Sequence, residues 1–156
     1  FPSVKDQYLE MLSKNHFWTE QQREFMDKVI RSTPDTDTAT HGDLQFGNLL
    51  LMDGESYFID LGDFAIGHPY FDLAMVLICC VLNDESFIQE FFHMSAATAR
   101  EFWNYFVDSY FEGKLTTDEA YELLFPYAMV KCLLIERNLK GSLDKFHDLF
   151  REHYGF

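Results

Sequence analysis

The stretch that decides the fold runs from residue 41 to residue 63 and reads HGDLQFGNLLLMDGESYFIDLGD. Its apolar run at 49–52 predicts a short buried strand, Asp53-Gly54 is a hairpin turn signal, and 56–59 predicts the returning strand. A hairpin of this length returns Asp60 to the end at which the hairpin began. The sequence therefore predicts that Asp43, Asn48 and Asp60 lie close together.

Carboxylate and amide oxygens in this arrangement suit phosphoryl transfer from a nucleotide. That reaction needs Mg²⁺ held by oxygen ligands, and a carboxylate that orients or deprotonates the accepting hydroxyl. Taken singly, Asp43, Asn48 and Asp60 are ordinary turn residues, and Asp53 is explained by the turn alone. Taken together, with His41 two residues before Asp43 and a hairpin before Asp60, they favour a catalytic site.

The stretch resembles the catalytic core of the aminoglycoside phosphotransferase and choline kinase-like family, which shares the protein-kinase fold. Three motifs carry the resemblance: His-Gly-Asp at 41–43, Phe-Ile-Asp at 58–60, and Tyr-Phe-Asp-Leu-Ala at 70–74, where the family has an aromatic-x-x-Asp-Leu-Ala helix start. The match covers residues 39–75. It implies an α+β, mainly helical fold: a kinase-like C-terminal lobe with a short β-hairpin that carries the catalytic loop and the metal-binding Asp.

The resemblance also implies a role for each matching residue. Asp43 is expected to be the catalytic base or the residue that orients the hydroxyl, and Asn48 and Asp60 are expected to bind Mg²⁺. His41 is expected to fix the loop without reacting. Asp72 is expected to be a buried residue at a helix start that bonds back to the loop backbone.

The family implies ATP as the phosphoryl donor, Mg²⁺ as the cofactor and a hydroxyl of an aminoglycoside-, choline- or sugar-like small molecule as the acceptor. The sequence departs from the family pattern at Gln45-Phe46, where His-Pro is often seen. Relatives also vary at the position of Asp63, which could support the site from behind or face the substrate. His68, which precedes a proline, is expected to be structural because nothing nearby suggests a metal or nucleophile partner.

The net charge of −14 argues against a nucleic-acid partner, because a phosphate-binding surface needs an excess of Lys and Arg. The charge is compatible with a cationic small substrate, and solubility alone also explains it. The three cysteines, Cys79, Cys80 and Cys132, lie in apolar helical runs, which predicts buried reduced thiols and fits a cytoplasmic protein. The apolar run at 71–82 is too short to span a membrane.

A kinase of this kind also needs a Gly-rich loop over the phosphates and a strand lysine. Neither is found in the sequence. Gly42 and Gly47 have the outer spacing of a P-loop, but Asn48-Leu49 stands where Lys and Ser/Thr are required. We therefore expect residues 1–156 to form a single domain, the C-terminal lobe of a longer protein whose N-terminal lobe is its partner.

Periodicity and capping signals predict helices at 3–14, from Thr19 to about residue 31, at 71–82, at 86–93, from Ser95 to Gly113, from Thr116 to a stop or kink at Pro126, at 127–139, and at 142–153 with Ser142 as its cap. Residues 64–69 are expected to be irregular. The aromatic side chains between 87 and 111 are at helical spacing, which favours core packing over a cation-binding box.

Two other functions stay open at this stage. One is a kinase-like binding or assembly module that is catalytically inactive. Even if the whole protein is a small-molecule kinase, the isolated fragment is expected to transfer no phosphate. The other is a two-metal phosphohydrolase, since Gly-Asp and Gly-Asn pairs recur in such enzymes. That site needs several His ligands near the carboxylates, and only His41 and His68 are close in sequence.

Overall fold

The protein is known from a computed structural model, which describes residues 1–138 and 143–156. The elements in this part of the chain are α1 (Val4–Lys14), α2 (Glu20–Ser32), β1 (Ala39–Thr40), β2 (Leu49–Met52), β3 (Glu55–Phe58), β4 (Ala65–Ile66), α3 (Tyr70–Leu77), α4 (Glu85–Phe92), α5 (Ala96–Tyr110), α6 (Thr117–Asn138) and α7 (Asp144–Tyr154). The mainly helical α+β fold is confirmed. The predicted cap Ser142 and residue 139, the last of the predicted helix 127–139, lie outside the described residues.

The first two helices begin where the sequence predicts. The Ser3 side chain caps α1, and Thr19 and Gln22 exchange hydrogen bonds in a complete capping box at the start of α2. Both helices pack against each other and against α6. Met26 and Ile30 of α2 are fully buried in that interface.

The centre of the molecule is the contact between α3 and α6. As the apolar run predicts, α3 is buried along its length, and it continues as a π-helical turn, Ile78–Leu82. The sequence predicts a stop or a kink at Pro126. The stop does not occur, because α6 continues through Pro126. Proline removes one hydrogen bond from a helix interior, and the complete burial of Phe125 and Ala128 on either side offsets that loss.

The strands form two separate antiparallel pairs, β1 with β4 and β2 with β3. The first pair corrects the expectation that 64–69 is wholly irregular. Ala39 lies opposite Ile66 and Thr40 opposite Ala65, and the buried Thr40 hydroxyl donates to the Ala65 carbonyl. This pairing fixes the backbone just before residue 41.

The prediction of a buried strand at 49–52 is wrong. The strand forms, but every residue of β2 and β3 is exposed, and Leu51 retains 74 % of its accessible surface. An apolar run indicates that a strand favours burial, but it does not show which part of the protein, or which partner, buries it.

The expectation of core packing for the aromatic residues between 87 and 111 holds only in part. On α5 the buried face carries Ala99, Trp103 and Val107, whereas Phe102 and Tyr110 are exposed. Helical spacing shows which residues share a face of α5, but not which face is buried. Here the buried face is offset by one residue from the face that carries Phe102 and Tyr110.

The three cysteines are free and buried, as predicted. No helix among residues 1–138 and 143–156 is long and apolar enough to cross a membrane.

Candidate active site

The β2–β3 hairpin brings Asn48 and Asp60 to the same end. Asp53 and Gly54 both have positive φ, 52° and 81°, so they form the tight turn that matches the twist of a two-stranded ribbon. Leu49 then lies opposite Phe58, and the Ile59 amide donates to the Asn48 carbonyl at 3.0 Å. Asp60 is the next residue, as the sequence predicts.

Asp43 and Asn48 are joined directly. The Asn48 side-chain Nδ2 donates to the Asp43 carboxylate and to the Asp43 carbonyl, each at 2.9 Å. Asn48 is buried, so this double contact holds the Asp43 side chain against the loop. Since Nδ2 faces two oxygens, the amide oxygen Oδ1 faces away from Asp43 and is the atom that a cation could bind.

Asp60 differs from Asp43 in its surroundings. Its backbone is in the left-handed region, with φ of 60°, and its side chain is exposed. Aspartate is among the few non-glycine residues that adopt this conformation readily. The turn directs the chain out of the hairpin directly after Ile59, whose amide is bonded to Asn48.

The oxygens of Asn48 and Asp60 are chemically suited to Mg²⁺, which prefers hard oxygen ligands. Across the described ranges, no group of three or more His, Cys, Asp or Glu side chains is arranged to hold a metal ion. One or two protein oxygens are nevertheless the usual protein share of a Mg²⁺ site that also includes nucleotide phosphates. The residues present therefore fit Mg²⁺ delivered together with a nucleotide.

His41 links the loop to the hairpin. Its Nδ1 accepts from the Asp43 amide at 3.2 Å, and its Nε2 lies 2.8 Å from the Ile59 carbonyl. A backbone amide only donates and a carbonyl only accepts, so the imidazole carries its proton on Nε2. With both ring nitrogens engaged, His41 contacts Asp43 in the loop and Ile59, the residue before Asp60, in the hairpin.

Asp72 holds the backbone of the loop that begins at His41 through hydrogen bonds. It is buried in the first turn of α3, and its two carboxylate oxygens accept from the backbone amides of His41 at 2.6 Å and Gly42 at 2.8 Å. These are charge-assisted bonds in a buried environment, which are stronger than neutral ones. The position and contacts of Asp72 are those that the family resemblance implies.

Lys131 is a residue that the sequence analysis missed. It lies in the middle of α6, is 1 % exposed, and its ammonium donates to the Gly42 carbonyl and lies 5.9 Å from the Tyr8 ring centroid. Burial lowers the pKa of Lys131, and the carboxylate of Asp72 acts in the opposite direction. A single lysine inside an otherwise apolar helical run was the available signal.

Gly42 is thus held on both sides by opposite charges, its amide by Asp72 and its carbonyl by Lys131. No other residue type fits there. Gly42 has φ of 88°, and a Cβ would lie 2.2 Å from the Asp63 carbonyl oxygen. Asp63 itself packs behind the loop, where its carboxylate accepts from Arg137 of α6 at 2.6 Å.

A cavity of about 540 Å³ opens beside Asp43. Among the described residues, its lining comprises Asp43, Gln45 and Gly47 of the loop, Met75, Ile78 and Cys79 of α3 and the π-helical turn, Asn83, Asp84, Phe87, Phe91 and Phe92 around α4, and Leu134, Ile135, Leu143, Lys145 and Phe146 of the C-terminal part. Its volume is in the range of small-molecule sites. Part of the aromatic stripe therefore lines a cavity.

His68 lies apart from this cavity. Its Nδ1 accepts from the Tyr70 amide at 3.3 Å, and its ring packs against Tyr70 and Tyr127. Burial lowers the pKa of His68, with a further contribution from Lys5. The structure gives His68 packing partners and no catalytic partner among the residues it describes.

A model of the phosphotransferase enzyme family matches residues 4–106, more than half of the chain. The chain belongs to this family. The match confirms the resemblance read from residues 39–75 and extends it from α1 into α5. Searches among curated proteins and among solved structures found no match.

As a member of the phosphotransferase enzyme family, the chain carries its six candidate residues inside the matched region: His41, Asp43, Asn48, Asp60, Asp63 and Asp72. Lys131 and Lys145 lie beyond it. The loop that holds Asp43 therefore combines a family segment with a contact from a helix that the match does not include.

Proposed function

We propose that the protein transfers the γ-phosphoryl group of ATP to a hydroxyl of a small molecule. In this proposal, Asp43 orients the hydroxyl and accepts its proton, while Asn48 and Asp60 hold Mg²⁺ on the nucleotide phosphates. The acceptor oxygen forms a bond to phosphorus as the bond to ADP breaks. Bound Mg²⁺ would supply charge neutralisation on the phosphates.

The observation that carries this proposal is the setting of Asp43. Its carboxylate lies at the wall of a cavity large enough for a small molecule, while its loop is held by Asp72 and Lys131. Phosphoryl transfer asks the protein mainly for positioning and charge stabilisation. A carboxylate whose loop is fixed by buried residues and that lines an open cavity meets that requirement.

We further propose that this domain is the kinase-like C-terminal lobe of the enzyme and that the nucleotide lies on the exposed face of the hairpin. The exposed Leu51 and Phe58 support this proposal, because apolar side chains on a two-stranded ribbon favour contact with another body. An N-terminal lobe with a Gly-rich loop would supply that body.

The test is the pair Asp43→Asn and Asp60→Ala, made in the full-length protein with the proposed N-terminal lobe and assayed by ADP formation and by Mg²⁺-ATP binding. Asp43→Asn is expected to lower turnover by about 10²–10⁴-fold, the usual contribution of a general base, and to leave nucleotide binding unchanged. Asp60→Ala is expected to weaken Mg²⁺-ATP binding as well, because it removes a metal ligand.

Asp53→Asn is the matched control, since Asp53 is an exposed carboxylate at the opposite end of the same hairpin and Asn tolerates its positive φ. It should leave both measurements unchanged. Turnover of Asp43→Asn at the unaltered rate would exclude Asp43 as the catalytic residue.

A binding or assembly module is the second candidate, and the exposed apolar hairpin is the observation that favours it. The two candidates separate on ATP consumption. A protein that binds through the hairpin but forms no ADP with any acceptor, and whose Asp60→Ala variant behaves identically, would be a module without activity.

A further inference from the structure

The cavity beside Asp43 contains a positive charge of its own. Lys145, in the first turn of α7, lines the cavity and is half-buried. Its ammonium lies 5.7 Å from the Phe87 ring centroid and 5.3 Å from that of Phe146. The Phe87 and Phe146 rings form an aromatic cation site, and the Lys145 ammonium already occupies it.

The charge of Lys145 is only partly neutralised. Its Nζ donates to the Asn83 side-chain oxygen at 2.6 Å, and the Asp84 carboxylate lies at 3.8 Å, beyond hydrogen-bond distance. Both hydrogen bonds that Asp84 accepts, from the Phe87 amide at 2.9 Å and from the Ser86 hydroxyl at 2.8 Å, go to Oδ1, so Oδ2 is the oxygen that attracts Lys145 at ion-pair distance. An ammonium has three N–H donors, and among residues 1–138 and 143–156 only the Asn83 oxygen accepts from Lys145, which leaves donors for a ligand.

The surroundings of Lys145 favour an added anion. Burial lowers the pKa of Lys145, and Asp84 acts in the opposite direction, as any anion bound nearby would. A second cation placed against the Phe87 and Phe146 rings would meet repulsion from Lys145, whereas the carboxylates of Asp43 and Asp84 attract cations elsewhere in the lining. The aromatic site at Lys145 therefore disfavours a cationic group at that end of the cavity.

We propose that the phosphoryl acceptor is an alcohol with an apolar body and an anionic group, such as a carboxylate, and that Lys145 binds that group. The inference rests on the proposed function and names its substrate class. The apolar body would pack on Phe91, Phe92 and Leu134, and the hydroxyl would reach Asp43 at the other part of the lining. Lys145 is then a specificity-determining residue.

The experiment compares three benzylic alcohols of similar size whose para substituent is anionic, neutral or cationic: para-hydroxymethyl benzoate, its carboxamide, and para-hydroxymethyl benzylamine. Binding of each probe is measured by calorimetry without ATP, and ADP formation is measured separately with Mg²⁺-ATP in the full-length protein that includes the proposed N-terminal lobe. The proteins are the unaltered protein, Lys145→Gln, Lys145→Glu and the control Lys114→Glu. Lys114 is exposed, pairs with Glu112 and does not line the cavity.

The benzoate is expected to bind about tenfold or more tightly than the amide, the usual effect of a hydrogen bond to a charged group. Lys145→Gln should remove this preference, Lys145→Glu should reverse it in favour of the benzylamine, and Lys114→Glu should not change it. Far-ultraviolet circular dichroism checks that the variants fold.

Equal or tighter binding of the benzylamine by the unaltered protein overturns the inference, as does a preference that survives Lys145→Glu or a failure of all three probes to bind. Phosphorylation of the probes without charge preference also overturns it and leaves the proposed function standing. Binding of the benzoate that depends on Lys145, without ADP formation from any probe, supports Lys145 as an anion site and counts against phosphotransfer.

Discussion

The loop that carries Asp43 and the hairpin that carries Asp60 are adjacent, yet they are held in opposite ways. Two buried charged side chains fix the loop, since Asp72 binds its amides and Lys131 binds the Gly42 carbonyl. The hairpin depends on its own ladder and its turn, and its apolar side chains are exposed. The first is positioned by the core and the second by local structure.

This contrast predicts how a substitution in the loop and a substitution in the hairpin affect the protein. A change at the loop alters the stability of the domain as well as the site, because its supports are core residues of α3 and α6. A change at the hairpin tip alters contacts with whatever covers it and leaves the domain core intact. The expected effects therefore fall steeply from the loop supports to the exposed strand.

The largest effect is expected from Asp72→Ala. Removing one member of a buried charged arrangement leaves Lys131 without its main counter-charge and two backbone amides without an acceptor, which costs about 3–5 kcal/mol. Chemical denaturation of the variant measures the loss. An unfolding free energy within error of the unaltered protein would mean that the loop does not depend on Asp72.

A double-mutant cycle with Lys131→Met sharpens the same point. Lys131→Met alone leaves the Gly42 carbonyl without its buried donor and should cost a similar amount. The double variant should lose less than the sum of the single losses, because neither change then leaves an uncompensated buried charge. Strict additivity would show that the two residues support the loop independently.

Gly42→Ala is expected to destabilise the protein by at least about 1–3 kcal/mol from its backbone conformation alone. The contact of the new Cβ with the Asp63 carbonyl would add to this loss. Gly54→Ala is the matched control, because Gly54 has a similar φ of 81° and nothing within 4 Å of the added Cβ. The difference in melting temperature between the two variants isolates the clash, and equal shifts would exclude it.

Leu51→Thr tests the hairpin side of the comparison. Leu51 is 74 % exposed, and Thr suits a strand, so the unfolding free energy should change by no more than about 0.5 kcal/mol. The same variant should weaken whatever contact covers the hairpin in the working protein. A loss of several kcal/mol in this domain would show that β2 is buried in solution.

The smallest expected effect concerns the thiols, which report on the core without changing it. Burial raises the pKa of Cys80 to about 12 and raises those of Cys79 and Cys132 further. Little thiolate is present at neutral pH, so a disulfide reagent should react slowly with the native protein and rapidly with all three after denaturation. Rapid reaction in the native state would show that the cavity lined by Cys79 opens.

Features set by neighbouring residues were predictable from the sequence. The capping box of Thr19 and Gln22, the Asp53-Gly54 turn and the convergence of Asn48 and Asp60 each depend on contacts within a single helix start or a single hairpin. Recognition of a family motif added Asp72, whose partners lie 30 and 31 residues away. No local pattern would have indicated those bonds.

The sequence by itself determined the hairpin, the capped starts of α1 and α2 and the convergence of Asn48 and Asp60, because chain geometry and hydrogen bonding act there at short range. Only the tertiary structure decided that Lys131 holds Gly42 from 89 residues away, that Lys145 lies against the aromatic rings of the cavity, and that the hairpin is exposed. Periodicity records which side chains favour burial. The packing of distant helices determines which of them are buried and which charged groups they enclose.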